Sequence, residues 1–186
     1  MKRIVWLGVI ALLLAAIPAA ASTFIALSHA ELVAGSDAVV QGRVLKVSSF
    51  WEKTGRVIVS EAMVQVDEVV KGAAPGVVIV RTFGGTVNGF TVEAHGFPKF
   101  AVNDHVLLYL HGAEGTAEVT GYQQGQYRIV RDKAGMALAV PTVDGGAFLV
   151  GRDGRPAPGA KAMRLETLKN LIRAEAVKPE TGRIAN

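Results

Sequence analysis

Apolar and polar residues alternate with a period of two along most of the chain, which is the pattern of strands with one buried face. In the longest such stretch, 56–70, Ile58, Ala62 and Val64 fall on one face and Glu61 on the other. Shorter stretches of the same kind are separated by Gly, Pro, Asn and Asp. The sequence therefore predicts strands over 38–47, 56–70, 77–80, 90–93, 105–111, 117–123, 126–131 and 136–140.

The first of these strands changes phase. Val40, Gly42 and Val44 share one face, whereas Leu45 and Val47 fall on the other. A phase change inside a strand indicates a β-bulge, and a glycine permits the bend that accompanies it. Three further details are predicted: a turn over 51–55, a strand over 77–80 covered on both sides, and a hairpin that joins 117–123 to 126–131 around Gln124-Gly125.

Two segments have the patterns of helices. Ser28 and Glu31 have the spacing of a capping box, which predicts a short helix over 28–35. Near the C-terminus, 164–177 is amphipathic, with an apolar stripe that includes Leu168 and Ile172. Between this helix and the last strand, 141–160 is rich in Gly and Pro and lacks a period, so it predicts a long loop or linker.

These elements predict a mainly β fold, a small closed or partly closed β-barrel with a short N-terminal helix and a C-terminal amphipathic helix docked on it. A β-sandwich is the main alternative. The expected organisation is a barrel domain over 22–140, a loop or linker over 141–160, the helix over 161–178 and a tail over 179–186. Strands of unequal length and a polar C-terminal helix disfavour an outer-membrane barrel.

The first 21 residues have the pattern of a secretory signal peptide. Lys2 and Arg3 precede an apolar run over 4–16, Pro18 follows, and small residues lead to an expected cleavage between Ala21 and Ser22. An uncleaved membrane anchor is the alternative, since the apolar stretch is close to the ~17–25 residues that span a bilayer. We expect an exported protein, periplasmic or secreted, with no membrane span after cleavage.

Charge and cysteine content limit the chemistry. The formal net charge is +4, but two of the twenty basic residues are Lys2 and Arg3, so the charge after cleavage is +2. This balance does not predict nucleic-acid binding, which requires clustered Lys and Arg. The chain has no cysteine. An exported domain without disulfides must depend on its packed core, and thiolate metal sites and thiol nucleophiles are excluded.

No established catalytic motif is present, and the histidines do not form one. His105 and His111 lie six residues apart on one predicted strand, roughly 20 Å, which is too far to share a metal ion. His95, close to Glu93 in the Gly-rich loop over 83–100, is the remaining candidate. We therefore expect no cofactor and a non-catalytic protein. The alternative is a hydrolase or metal-dependent enzyme with a site around His95 and the Gly-rich loop.

Aromatic residues cluster around the same loop. Phe83, Phe90, Phe97 and Phe100 lie in or beside it, and Trp51 lies at the predicted turn. A partly exposed aromatic patch is typical of a binding surface. The candidate binding residues are Trp51, Phe83, Gly84, Gly85 and Phe97. The alternative is that these aromatic side chains fill one end of the barrel.

Two blocks of sequence resemble known exported proteins. The first comprises 36–44, Trp51 and 66–72, and the second comprises Gly84-Gly85, 96–100, 104–110 and 124–127. Together, within residues 28–131, they resemble a group of uncharacterised exported bacterial proteins. The first block is also similar to the netrin-like modules of tissue inhibitors of metalloproteinases, in which a Ser-Asp pattern opens a barrel of the OB type.

The netrin-like resemblance implies an OB-like barrel and a protein-binding or protease-inhibiting role. Those inhibitors use cysteines to hold the N-terminal amino group on the protease metal, and this chain has none. The sequence thus predicts an exported, non-catalytic binding or interaction module. The expected partner is another envelope or secreted protein, a protease included.

Overall fold

The computed structural model describes residues 22–112, 115–142 and 146–178. The predicted signal peptide, Ala21 and the predicted tail over 179–186 lie outside the described residues. Ser22 is the first described residue and begins a strand.

The chain is mainly β. Twelve strands are described: β1 (Ser22–Ile25), β2 (Ala38–Trp51), β3 (Ile58–Lys71), β4 (Val77–Phe83), β5 (Gly85–Val87), β6 (Phe90–Val92), β7 (His105–His111), β8 (Thr116–Val119), β9 (Gln126–Arg131), β10 (Ala137–Pro141), β11 (Ala147–Val150) and β12 (Met163–Arg164). The helices in the described ranges are α1 (His29–Ala34), α2 (Leu165–Ala176) and a 3-10 helix (Tyr122–Gly125).

Eight strands form one large sheet in the order β12-β10-β9-β7-β2-β3-β4-β8. Strand β8 pairs with β4 on one side, in parallel, and with β7 on the other, antiparallel. The pairings β7–β2–β3–β4–β8 therefore return to β7. Two smaller pairs accompany this sheet: β1 with β11 in parallel, and the hairpin β5–β6.

Two hydrophobic cores lie on opposite faces of the shared strands β2 and β7. The first core is enclosed by β2, β3, β4, β7 and β8 and includes Val40, Val64 and Leu108, each fully buried. The second core packs α1 and α2 against β2, β7, β9 and β10, and includes Val39 and Tyr109. Successive residues of β2 thus serve different cores, as the alternation of a strand requires.

The phase change in β2 is a bulge, as the sequence predicts. Val44 pairs with Val64 and Lys46 with Met63, so Leu45 has no partner in the register and is exposed. Because Leu45 is an extra residue in the strand, Val47 faces the first core, as Val44 does.

The two helices are fixed by polar contacts as well as by apolar burial. The capping box at α1 is present, with the Ser28 hydroxyl accepting from the Glu31 backbone N–H and the Glu31 carboxylate accepting from the Ser28 N–H. In α2, Leu168 and Ile172 are buried and Lys169 bridges to Glu68 on β3 at 2.9 Å. This ion pair joins α2 to the outer face of the sheet.

Three details of the sequence-based prediction are wrong. Strand β4 is covered on one side, because Val77 and Phe83 are exposed while Val78 and Val80 are buried. Strands β8 and β9 do not pair with each other, since left-handed Gly121 (φ 68°) and the 3-10 helix redirect the chain between them. Trp51 is the last residue of β2, not part of the turn. In addition, the segment 141–160 contains a strand that the sequence did not predict, β11.

Candidate binding cleft

A cleft of about 620 Å³ lies at the ends of β2 and β4. Strands β2, β3, β4 and β8 supply one side, and residues 97–98 together with the 3-10 helix supply the other. Its lining comprises Phe50, Trp51, Glu52, Lys53, Val59, Arg81, Thr82, Phe83, Phe97, Pro98, Glu118, Val119 and Tyr122. A cleft of this size, lined by apolar side chains and by the charged residues Glu52, Lys53, Arg81 and Glu118, has the dimensions of a ligand site.

A row of aromatic side chains runs along the cleft. Phe50, Val59 and Phe83 lie opposite one another on β2, β3 and β4, so their side chains share one face of the sheet. The Phe97 ring continues the row, with its centroid 5.1 Å from that of Phe83 and 4.9 Å from that of Tyr122. We call Phe50, Phe83, Phe97 and Tyr122 the aromatic row.

A charged row lies beside the aromatic row on the same face of the sheet, separated from it by one intervening pairing position, that of Ser60 and Thr82. Glu61, Arg81, Glu118 and His111 are successive cross-strand partners on β3, β4, β8 and β7. The Arg81 guanidinium donates to the Glu61 carboxylate and lies 6.0 Å from the centre of the Phe50 ring. The Glu118 carboxylate lies 3.7 Å from His111 Nε2 and its side chain is 60% exposed.

Buried polar side chains hold the wall that carries Phe97. Thr82 Oγ1 donates to the Pro98 carbonyl at 2.9 Å. Gln126, which is 2% exposed, donates Nε2 to the Lys99 carbonyl at 2.8 Å and accepts from the Lys99 N–H at 3.3 Å. Since each bond is made to the backbone, the position of the wall does not depend on exposed side chains.

The N-terminal strand supports the same wall. The Phe24 ring on β1 lies 4.9 Å from Tyr122 and 6.1 Å from Phe97, centre to centre. It rests directly on Gly96, where an added Cβ would lie 2.1 Å from the ring, and the φ of 83° at Gly96 also favours glycine. The segment 22–25 therefore forms part of the support of the cleft.

A second, smaller chamber of about 330 Å³ lies beneath the hairpin β5–β6 and shares Thr82, Phe83 and Pro98 with the cleft. Gly84 and Gly85 line this chamber. At Gly85 a Cβ would lie 2.4 Å from the hydroxyls of both Ser49 and Ser60, which bond to each other at 2.8 Å. The close approach explains why the chain has glycine there.

The structure brings most of the predicted binding residues together. Trp51, Phe83 and Phe97 line the cleft and Gly84-Gly85 the adjoining chamber. Phe90 is outside the cleft lining but contacts Trp51, with ring centres 6.5 Å apart. Phe100 instead packs against the first core.

Several contributors to the cleft were missed from the sequence, among them Phe50, Phe24, Tyr122, Arg81 and Glu118. Phe24 and Tyr122 come from distant segments, and only the tertiary fold brings them to Phe97. Arg81 lies two residues before Phe83, so its side chain faces the same way on β4. The two-residue spacing between Arg81 and Phe83 was enough to place both side chains on one face of the strand from the sequence alone.

The histidines lie in separate places. His95 packs on the backbone at Gly146, where a Cβ would lie 2.3 Å from its Nδ1. His105 begins β7, opposite Arg43 on β2. Within residues 22–112, 115–142 and 146–178, no three His, Asp or Glu side chains are close enough together to hold a metal ion. These residues therefore contain no set of three side chains that could ligate a metal ion around His95.

In the part of the chain that the structure describes, no helix combines the length and apolarity needed to cross a membrane. Comparisons with family models, curated proteins and solved structures returned no match to this chain.

Proposed function

We propose that the protein is an exported, non-catalytic binding module, and that the cleft along the aromatic row binds a segment of another envelope or secreted protein. The observation that carries this proposal is the set of exposed aromatic side chains that face a wall fixed through its backbone. Trp, Tyr and Arg dominate the energetics of protein interfaces, and Trp51, Tyr122 and Arg81 all line this cleft.

A rigid cleft favours binding because little conformational freedom is lost when the ligand arrives. Thr82 and Gln126 hold the wall from within, and Phe24 supports it from behind. The exposed rings then provide apolar area with few rotatable bonds. Loss of this area from water on binding is worth about 25 cal/mol per Å² before the costs of association.

The proposal includes a barrel of the OB or netrin-like type. The ring of pairings supports this architecture. The five strands of the ring are, in chain order, β2, β3, β4, β7 and β8. Around the ring they follow one another as β2, β3, β4, β8 and β7, which is the order first, second, third, fifth and fourth. A five-stranded Greek-key barrel is the architecture of the OB type, which binds ligands with loops at one end and an adjoining face. The cleft involves the β2–β3 loop through Glu52 and Lys53.

Site-specific photo-crosslinking tests the binding role. A photoreactive phenylalanine analogue replaces Tyr122, in the aromatic row, or Phe148, an exposed ring on β11 outside the cleft lining. We expect a protein adduct in the envelope or secreted fraction from position 122 and none from position 148. Equal labelling from both positions, or none from either together with turnover in a hydrolase panel, would reject the binding module.

Export is tested separately. Cell fractionation should find the protein in the periplasmic or extracellular fraction, and N-terminal sequencing should begin at Ser22. A cytoplasmic protein that retains residues 1–21 would reject this part of the proposal without bearing on the cleft.

A further inference from the structure

We infer that the cleft selects a polypeptide segment carrying an arginine or lysine side chain between apolar residues. The cation would lie on the exposed rings of the aromatic row beside the Glu118 carboxylate. This inference rests on the proposed function and names the chemistry of the partner.

The protein already places one cation on the aromatic row. The Arg81 guanidinium lies 6.0 Å from the centre of the Phe50 ring while it donates to Glu61. A ring face carries negative charge density and attracts cations, most strongly where water is partly excluded. Phe83 and Tyr122 expose 47% and 46% of their surface in the same cleft, so they can present rings to a cation from outside.

The charges of the cleft favour a positive ligand. Arg81 is paired with Glu61, and the adjacent charges of Glu52 and Lys53 on the β2–β3 loop cancel. Glu118 remains, and its salt-bridge partner His111 carries charge only when protonated. In the described contacts, Glu118 therefore has no lysine or arginine as a salt-bridge partner, although Arg81 is its cross-strand neighbour on β4.

The arrangement in two parallel rows defines the kind of ligand. One row is aromatic and the neighbouring row is charged, separated by one pairing position on the strands. An extended segment with apolar residues two positions before and two positions after a basic one presents both features on one face at this spacing. A neutral sugar would gain no charge–charge attraction from the carboxylate, and an acidic segment would be repelled by it.

Three capped heptapeptides test this preference, each of the form Ser-Leu-Ser-X-Ser-Leu-Ser with Arg, Gln or Glu at the central position X, so that X and both Leu side chains share one face of an extended segment. The full chain carries Trp6→Phe, so that Trp51 in the cleft is the remaining tryptophan and its emission reports binding. Calorimetry gives the dissociation constants. We expect the Arg peptide to bind at least fivefold more tightly than the Gln peptide, and the Glu peptide most weakly.

Two matched pairs of variants locate the effect. Glu118→Gln should reduce the preference for Arg over Gln to less than twofold, whereas Glu175→Gln, which removes a carboxylate from α2, should leave it unchanged. Phe83→Ala should weaken all peptides, and Phe148→Ala none.

Each of four results would overturn the inference. The first two are equal affinity for the Arg and Gln peptides and a preference for Arg that survives Glu118→Gln. The other two are binding of neutral oligosaccharides instead of peptides and no binding at millimolar peptide. The proposed function is judged independently by crosslinking at position 122. An adduct there, without charge preference among the peptides, rejects the inference and retains the binding module.

Discussion

Gln126 shows how a single buried residue determines the shape of the cleft. Its amide group both donates to and accepts from the Lys99 backbone, next to Pro98 in the cleft wall. In Gln126→Met the side-chain volume is nearly kept but both bonds are lost. We expect the free energy of unfolding to fall by about 1–3 kcal/mol in urea titrations.

The matched control is Gln65→Met on β3, because Gln65 is exposed. Its effect should stay within about 0.5 kcal/mol. If the two variants lose the same stability, the Gln126 amide does not hold the wall.

Glu31 makes the free energy of unfolding depend on pH in the acid range. The backbone N–H of Ser28, then the Arg152 guanidinium and the Ser28 hydroxyl, lower the pKa of Glu31 from 4.5 to about 2. A lowered pKa in the folded state means that the stabilisation is complete above about pH 4.5 and is lost as the pH falls towards 2. Unfolding midpoints measured between pH 6 and 2 should therefore decline less steeply in Glu31→Gln than in the parent chain. Parallel declines would contradict this role.

At this scale the sequence predicts local contacts and misses distant ones. The capping box could be read from Ser28 and Glu31, because its partners are three residues apart. Gln126 and Lys99 are 27 residues apart, and no local pattern distinguishes a glutamine that bonds a remote backbone from one exposed to solvent.

The helix α2 is the element whose docking can be measured most directly. Ile172 is fully buried in the second core, and the adjacent Leu171 is 46% exposed. Ile172→Ala should lower the free energy of unfolding by about 2–5 kcal/mol, because it removes apolar contacts and leaves a cavity. Leu171→Ala has the same chemistry and should change it by no more than about 0.5 kcal/mol. Chemical denaturation of the two variants checks the pair, and equal losses would show that α2 is not docked through this face.

Alternation predicted the existence of strands better than their pairing. The bulge in β2 and the bounds of β7 agree with the pattern, since both depend on which face of one strand is buried. Strand β11 was missed because its partner β1 is more than a hundred residues earlier, and its surroundings are rich in Gly and Pro. The false hairpin of β8 and β9 has the same origin, since proximity in sequence suggested a pairing that Gly121 prevents.

The whole molecule combines segments that the sequence separates. The sequence placed Trp51, Phe83 and Phe97 in one candidate surface, because they surround a single loop or its neighbouring turn. The aromatic row also requires Tyr122, and Phe24 supports it through a strand that pairs with β11. The N-terminal strand and a strand inside the predicted linker over 141–160 therefore support the same cleft.

This integration predicts one cooperative unfolding transition. Val39 and Val40 are consecutive in β2 and face different cores, so neither core can open without breaking the strand that they share. In the chain with Trp6→Phe, Trp51 emission reports the cleft and far-UV circular dichroism reports all strands and helices. We expect the two unfolding curves to coincide in urea, as in a two-state transition.

The decisive comparison is the effect of Ile172→Ala on the Trp51 curve. Residue 172 belongs to α2 and the second core, whereas Trp51 lines the cleft at the end of β2. If the molecule unfolds as one unit, the substitution shifts both curves to lower urea by the same amount, because every probe measures the same equilibrium. If 141–160 instead separates an independent C-terminal unit, circular dichroism changes first and the midpoint of Trp51 emission does not move. The same urea titration therefore decides whether the helix and the cleft share one folding unit.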